Sequence, residues 1–83
     1  MTEQQIQTKI KKKLEADNWI IVKMIKTSMN GIPDLMALKN GKAMFIEVKR
    51  PGGAVSPLQI ERKTQLEAAG FTVKIWTDYE TDF

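Results

Sequence analysis

The stretch GIPDLMALKNGKAMFIEVKRPGG, residues 31–53, decides the fold of this 83-residue chain. Two mostly apolar runs flank Asn40-Gly41, and an Asn-Gly pair in that setting is the strongest short-range signal for a β-hairpin. With a two-residue turn there, the numbers of facing residues sum to 81, so Asp34 lies directly opposite Glu47. A three-residue turn with a bulge would shift the pairing by one residue and separate the two carboxylates.

Two facing carboxylates at the end of a hairpin repel each other. At about 5 Å and an effective dielectric constant of about 20, the repulsion is roughly 3 kcal/mol, a large share of the stability of a small domain. Because carboxylate oxygens are hard ligands, this pair predicts a bound Mg²⁺ or Mn²⁺. Lys49, two residues beyond Glu47, points to the same face. In the alternative interpretation Asp34 is a turn residue, and Glu47 and Lys49 form a weak ion pair on an exposed edge strand.

Periodicity and capping residues define the other elements. Ile6, Ile10 and Leu14 predict an amphipathic helix, and the continuous apolar run after it predicts a strand that is buried on both faces. The predicted elements are a helix over 3–16, strands over 19–25, 33–38 and 43–49, a helix from Ser56-Pro57 to about Ala69, and a strand over 72–77. The last strand should lie parallel to the second hairpin strand, with a right-handed crossover between them.

The composition is that of a single domain over residues 1–83 with a basic body. The chain has 13 basic and 10 acidic residues, a net charge of +3, and the balance without residues 77–83 is +6. This charge favours a polyanionic partner such as nucleic acid, although it is also common as a solubility feature. Without cysteine or histidine, disulfides, thiol nucleophiles, Ser-His-Asp triads and the usual zinc ligands are excluded. No apolar run is long enough to span a bilayer, and we expect a soluble intracellular protein.

Two motifs together resemble a known superfamily of nucleases. Gly31-Ile32-Pro33-Asp34, followed after a hairpin by Glu47-Val48-Lys49, resembles the PD-(D/E)xK nucleases and, within them, the VRR-NUC domains. The pattern continues through Pro51-Gly52, Ser56-Pro57-Leu58-Gln59 and Gly70, and covers essentially the whole chain. The resemblance implies an α/β fold of the restriction-endonuclease type, with an αβββαβ core and a mixed central sheet flanked by helices. That order agrees with the order obtained from periodicity.

The resemblance also assigns roles at the end of the hairpin. It implies that Asp34, Glu47 and the main-chain carbonyl of Val48 hold Mg²⁺ or Mn²⁺, without any small-molecule cofactor. Lys49 would orient or deprotonate the attacking water and stabilise the charged transition state. A bound metal supplies Lewis acidity and lowers the pKa of its water.

Two further residues have a structural explanation beside the functional one. Glu3 matches the acidic residue that these nucleases carry in the first helix, and a helical wheel turns it towards the sheet. An acidic residue in a first helical turn also favours the helix dipole. Gln59 matches the family's glutamine beyond the lysine, and it also completes a Ser56-x-x-Gln59 capping box. For each residue a site role and a capping role are both open.

Basic residues near the expected site suggest a surface for DNA backbone contacts. Lysines of the first helix lie away from its apolar stripe, although most such runs are only solvated. The predicted DNA-binding residues are Lys9, Lys12, Lys13, Arg50, Arg62 and Lys63. The aromatic residues Trp19, Trp76, Tyr79 and Phe83 are expected in the core or a subunit interface rather than in base stacking.

The resemblance implies a specific kind of nuclease. Stand-alone VRR-NUC proteins come from phages or bacteria, so the expected compartment is the bacterial cytoplasm. The implied activity is metal-dependent cleavage of four-way DNA junctions by a homodimer, whose two equivalent sites suit paired incisions. The alternatives are a monomeric nuclease acting on nicks, flaps or DNA ends, a DNA-binding module that does not cleave, and a basic scaffold protein with an accidental carboxylate pair.

Overall fold

The computed structural model describes residues 1–78, and every predicted element is present within two residues of its expected bounds. The elements are α1 (Glu3–Ala16), β1 (Ile20–Lys23), β2 (Leu35–Lys39), β3 (Lys42–Val48), α2 (Pro57–Ala68) and β4 (Thr72–Trp76). The four strands form one mixed sheet in the order β1-β2-β3-β4. The predicted α/β fold with a central sheet and flanking helices is therefore confirmed.

The hairpin turn has two residues, as the Asn-Gly signal predicts. Asn40 has φ of 51° and Gly41 has φ of 75°, which are the left-handed values that a tight hairpin turn requires. Leu38 pairs with Ala43, so the register that makes facing numbers sum to 81 is confirmed for the ladder. The ladder ends where Leu35 pairs with Ile46, and Asp34 and Glu47 are the next residues beyond it.

The helix α1 covers one face of the sheet and forms the core with it. Its buried residues Ile6, Ile10 and Leu14 repeat at the spacing of one helical face. Their partners are alternate residues of β2, β3 and β4, as the two-residue period of strands requires. These partners are Leu35, Ala37, Met44, Ile46, Val48 and Trp76.

The aromatic residues of the described chain lie in or against this core. Trp76 is 1% exposed, and Trp19 packs against the cluster while half-buried. Both positions agree with the expected core role. Tyr79 and Phe83 lie outside the described residues.

The prediction that β1 is buried on both faces is wrong. β1 is an edge strand, paired on one side with β2 alone. Ile21 faces the α1 core, whereas Ile20 and Val22 on the opposite face are 66% and 38% exposed. The physical reason is that α2 packs against β4, at the far edge of the sheet, and does not reach β1. A continuous apolar run therefore marks here a strand with one uncovered apolar face.

The described part of the chain contains no helix long and apolar enough to cross a membrane.

Candidate active site

The end of β3 carries a buried carboxylate with an ammonium group beside it. Glu47 is 4% exposed, and it is the only buried charged residue in the described chain. The Nζ atom of Lys49 lies 3.6 Å from Glu47 Oε2, and the Lys49 side chain is 14% exposed. The backbone N–H of Lys49 donates to the carbonyl of Trp76 at 3.0 Å, which fixes the chain just after β3. Both side chains are thus held on the sheet face opposite α1.

Asp34 is bound to both neighbouring strands. Its Oδ2 atom accepts a hydrogen bond from the backbone N–H of Val48 at 2.8 Å, and its carbonyl accepts one from the N–H of Met24 at 2.8 Å. The carboxyl group is also close enough to Glu47 for charge repulsion and a hydrogen bond between the two to affect the latter's pKa. The facing carboxylates predicted from the register are therefore brought together.

Gln59 both caps α2 and contacts the site. The Oε1 atom of Gln59 accepts a hydrogen bond from the backbone N–H of Ser56 at 3.0 Å. The backbone N–H of Gln59 donates to the Ser56 hydroxyl at 3.1 Å. Its Nε2 atom donates to Glu47 Oε2 at 3.1 Å. Because the cap uses the amide oxygen, the amide nitrogen is the atom left to face the carboxylate. One side chain thus caps α2 and contacts the candidate metal ligand Glu47, while a role of Gln59 in catalysis stays a prediction.

The pKa of Glu47 is raised from its ordinary value of 4.5 to about 7. Burial is the main cause, since it disfavours the charged form, and the charge of Asp34 and its hydrogen bond act in the same direction. Lys49 opposes the shift through its charge and a hydrogen bond, but it does not cancel it. Burial and the neighbouring carboxyl group therefore outweigh the effect of Lys49 on the pKa of Glu47.

This donor set fits a hard divalent cation. Two carboxylates are enough for Mg²⁺, which usually keeps several waters and shares substrate phosphates. One oxygen of Asp34 accepts from the N–H of Val48, and Glu47 Oε2 accepts from Gln59. The second oxygen of each carboxylate is therefore the atom suited to a cation. Val48 enters the site through its N–H, and metal binding by its carbonyl stays a prediction.

The chain matches a known protein family over nearly all of its described residues. The sequence profile of the VRR-NUC domain matches residues 1–77. The chain belongs to the VRR-NUC domain family. A solved structure described as a VRR_NUC domain superposes with a TM-score of 0.83 over 95% of this chain and 88% of that chain, at 24% identity. The two proteins therefore share the fold.

A curated relative is described as "Putative nuclease p44" and comes from Acyrthosiphon pisum secondary endosymbiont phage 1. It is 40% identical over 55 residues, which is 65% of this chain. The aligned part spans 59% of the relative's own length.

The first helix of this VRR-NUC domain begins with Glu3, which is half-buried. Residues 1–78 contain no group of three or more acidic, histidine or cysteine side chains arranged to hold a metal, so Glu3 does not join the carboxylate pair in this arrangement. α1 packs on the face opposite the pair, which explains the separation. A metal-binding role for Glu3 stays a prediction, and its place in the first turn fits the helix dipole.

The six predicted DNA-binding residues fall into two groups. Four of them already interact with other residues of the protein. Lys9 pairs with Asp78 at 2.7 Å, and Lys63 pairs with Glu67 at 3.1 Å. Arg62 donates to the Asn30 carbonyl at 2.8 Å and to Gln65, and Lys13 also makes a polar contact. Lys12 and Arg50 are exposed and have no ion pair within residues 1–78. Arg50 follows Lys49 directly and is the nearer of these two to the carboxylate pair along the chain.

Sequence reasoning missed two lysines at this end of the sheet. Lys23 is the last residue of β1 and pairs with Leu35, while Lys26 is exposed shortly after it. The N–H of Met24, between them, bonds to Asp34. The antiparallel pairing of the run 19–25 with the first hairpin strand is the signal that would have placed them beside the site.

Proposed function

We propose that this VRR-NUC domain is a metal-dependent DNA endonuclease that acts on four-way junctions as a homodimer. The observation that carries the proposal is the buried Glu47 carboxylate, which faces Asp34 and lies 3.6 Å from the Lys49 ammonium. Two carboxylates that can bind a hard metal ion, with a lysine ammonium group beside them, suit hydrolysis of a phosphodiester. The name of the phage relative supports a nuclease activity.

Each residue of the site has a chemical task in this proposal. Asp34 and Glu47 would hold Mg²⁺ or Mn²⁺, which when bound supplies Lewis acidity and a more acidic water. Lys49 donates hydrogen bonds to the attacking water or to a phosphate oxygen, and its charge stabilises the extra negative charge of the transition state. Gln59 holds the Glu47 carboxylate in place from its capped position on α2.

Exposed basic residues would hold the DNA backbone across this site. Arg50 and Lys12 are available for phosphate contacts, and such contacts fix the register of DNA without reading its sequence. The other four predicted DNA-binding residues already contact other residues of this chain. They would have to give up those contacts in order to bind DNA. We therefore expect affinity to depend strongly on salt and weakly on sequence.

The uncovered face of the sheet supports the homodimer. It carries the exposed Ile20 and Val22 of β1 beside half-buried apolar residues of β2 and β3, which are Met36, Leu38, Ala43 and Phe45. In residues 1–78 neither helix packs over β1 on this face. Contiguous exposed apolar surface of this kind marks interaction sites. A second copy would bury it and add stability to a small domain.

Charge placed on this face should separate the dimer. We expect the wild type to have about twice the 9.5 kDa mass of one chain in light scattering at micromolar concentration. The double variant Ile20→Glu, Val22→Glu should have the mass of one chain, because its two carboxylates would be buried without partners. Ile60→Glu is the matched control, since Ile60 is 52% exposed on α2. A monomeric wild type, or a double variant that stays dimeric, would contradict the proposed interface.

The function is tested with labelled four-way junction, flap, nicked and intact duplex DNA. We expect paired nicks in the junction with Mg²⁺ or Mn²⁺, and loss of cleavage in EDTA. Asp34→Asn should reduce the rate by about 10²-fold or more, since it weakens a metal ligand while its side chain keeps its shape. Cleavage that persists in EDTA or in this variant would refute the metal mechanism. Preferential cleavage of nicks or flaps by a monomer would instead favour the second enzyme activity.

A further inference from the structure

The loop between β1 and Asp34 exposes two large apolar side chains beside the candidate site. Ile25 is 84% exposed, the highest value among large apolar side chains in the described chain, and Met29 is 46% exposed. Single exposed apolar residues are ordinary on protein surfaces. Two on one short loop, next to a candidate metal ligand, call for an explanation.

This loop is anchored at both ends and in its middle. The N–H of Met24 donates to the Asp34 carbonyl at 2.8 Å, directly before Ile25. The hydroxyl of Thr27 donates to the Met29 carbonyl at 2.6 Å, and Arg62 Nε donates to the Asn30 carbonyl at 2.8 Å. The apolar side chains are therefore presented from a fixed backbone.

Gly31 closes the loop against α2. It has φ of +80°, a left-handed value that favours glycine, and a Cβ there would lie 2.8 Å from Leu58 Cγ. The chain thus approaches α2 closely just before Pro33 and Asp34. The loop is tied to the carboxylate pair by the bond from Met24 to Asp34 and by α2, which contacts both Gly31 and Glu47.

Basic residues lie close to Ile25 along the chain. Lys23 and Lys26 flank Ile25 in the chain, are exposed, and have no ion pair within residues 1–78. Arg50, which directly follows Lys49, is also exposed. An apolar tip between free cations fits a polyanion that also offers an apolar surface. DNA does so where its bases are unstacked.

We propose that Ile25, supported by Met29, inserts between bases at a branch point or nick and selects distorted DNA. Apolar side chains of this kind act as wedges between base steps in several DNA-binding proteins. Insertion costs least where the bases are already unstacked, so the wedge discriminates against intact duplex. Lys26, the residue after Ile25, contacts a phosphate next to the insertion point. The inference rests on the proposed nuclease function, because it assigns the structural selectivity of that same site.

The first test measures insertion without cleavage. A four-way junction carrying 2-aminopurine at the branch is mixed with the full chain bearing Asp34→Asn, in EDTA. Binding should raise the fluorescence severalfold, because the probe is unstacked. Adding Ile25→Ser should remove at least about half of that rise, whereas Ile25→Leu should keep it. Ile60→Ser on α2 is the matched control and should change nothing. An equal rise with Ile25→Ser would overturn the wedge.

The second test measures selectivity in the otherwise wild-type protein with Mg²⁺. Ile25→Ser should lower the ratio of junction to intact-duplex cleavage rates by about tenfold, with the dimer mass unchanged. A loss of dimer mass would mean that Ile25 contacts a second copy, and an unchanged ratio would mean that it selects nothing. Insertion without cleavage would support the wedge and reject the nuclease. Absence of junction binding would reject both.

Discussion

Lys49→Met should reduce the rate of phosphodiester cleavage by about 10³-fold, within the range that a positioned acid, base or charge contributes. Methionine keeps the length of the apolar stem, which is largely buried with the 14% exposed lysine side chain, but it removes the ammonium 3.6 Å from Glu47 Oε2. Single-turnover rates on the labelled junction, with Mg²⁺ and excess enzyme, measure the loss. Binding of the same junction in EDTA should change by less than about threefold, because one buried contact adds little to a largely electrostatic interaction.

An arginine at the same position separates charge from proton transfer. Lys49→Arg keeps the positive charge, but its planar guanidinium does not release a proton and needs more room. We therefore expect the cleavage rate of Lys49→Arg to exceed that of Lys49→Met by less than about tenfold. Full recovery would show that charge alone is required and would exclude Lys49 as the base. A rate unchanged in Lys49→Met would remove Lys49 from the site altogether.

Local signals were sufficient to predict the hairpin and the facing carboxylates at its end. A two-residue hairpin turn requires positive φ at both of its residues, and Asn40 and Gly41 adopt such values. This pair therefore fixes the register of the hairpin independently of residues elsewhere in the fold. Once the register is fixed, Asp34 and Glu47 must follow one step beyond the last ladder pair. The sequence thus determines the carboxylate pair through geometry that spans fewer than twenty residues.

Properties that depend on distant packing could not be predicted in this way. The exposure of β1 follows from the position at which α2 packs on the sheet. The periodicity of residues 19–25 contains no information on that position. Arg62 was predicted to contact DNA, but it bonds to the Asn30 carbonyl across 32 positions of the chain. Such contacts depend on the crossover geometry, which places α2 beside the loop.

Gln59 shows how one residue satisfies a local and a distant requirement together. The capping box is readable from four consecutive residues, whereas the bond to Glu47 needs α2 to begin beside β3. Because the cap fixes the amide oxygen, the local pattern also determines which atom faces the carboxylate. The two roles remain alternatives in the sequence, because four consecutive residues contain no information on the distance between α2 and β3.

Glu47→Gln should change the pH dependence of stability and its response to divalent cations. In the folded wild type the pKa of Glu47 is about 7, against an ordinary value of 4.5. Between these values the folded protein retains a proton that the unfolded chain has released, so the free energy of unfolding falls as the pH rises. In EDTA this fall should amount to about 3 kcal/mol from Glu47 alone. The fall is nearly complete by about pH 8, one unit above the pKa in the folded protein, and Glu47→Gln should lack it.

Urea unfolding of the wild type and of Glu47→Gln from pH 4 to pH 8 measures the difference between their free energies of unfolding. Contributions from groups that titrate in both proteins cancel in this difference. Mg²⁺ or Mn²⁺ should then restore stability to the wild type at pH 8, by about 2.7 kcal/mol at a hundred times the dissociation constant, because a cation favours the ionised folded site. Glu47→Gln should respond much less. Parallel pH profiles would show that burial does not raise the pKa of Glu47 in solution. The ionised form of Glu47, which destabilises the free protein, is also the form that the proposed metal site requires, so a bound cation would offset the cost of burying that charge.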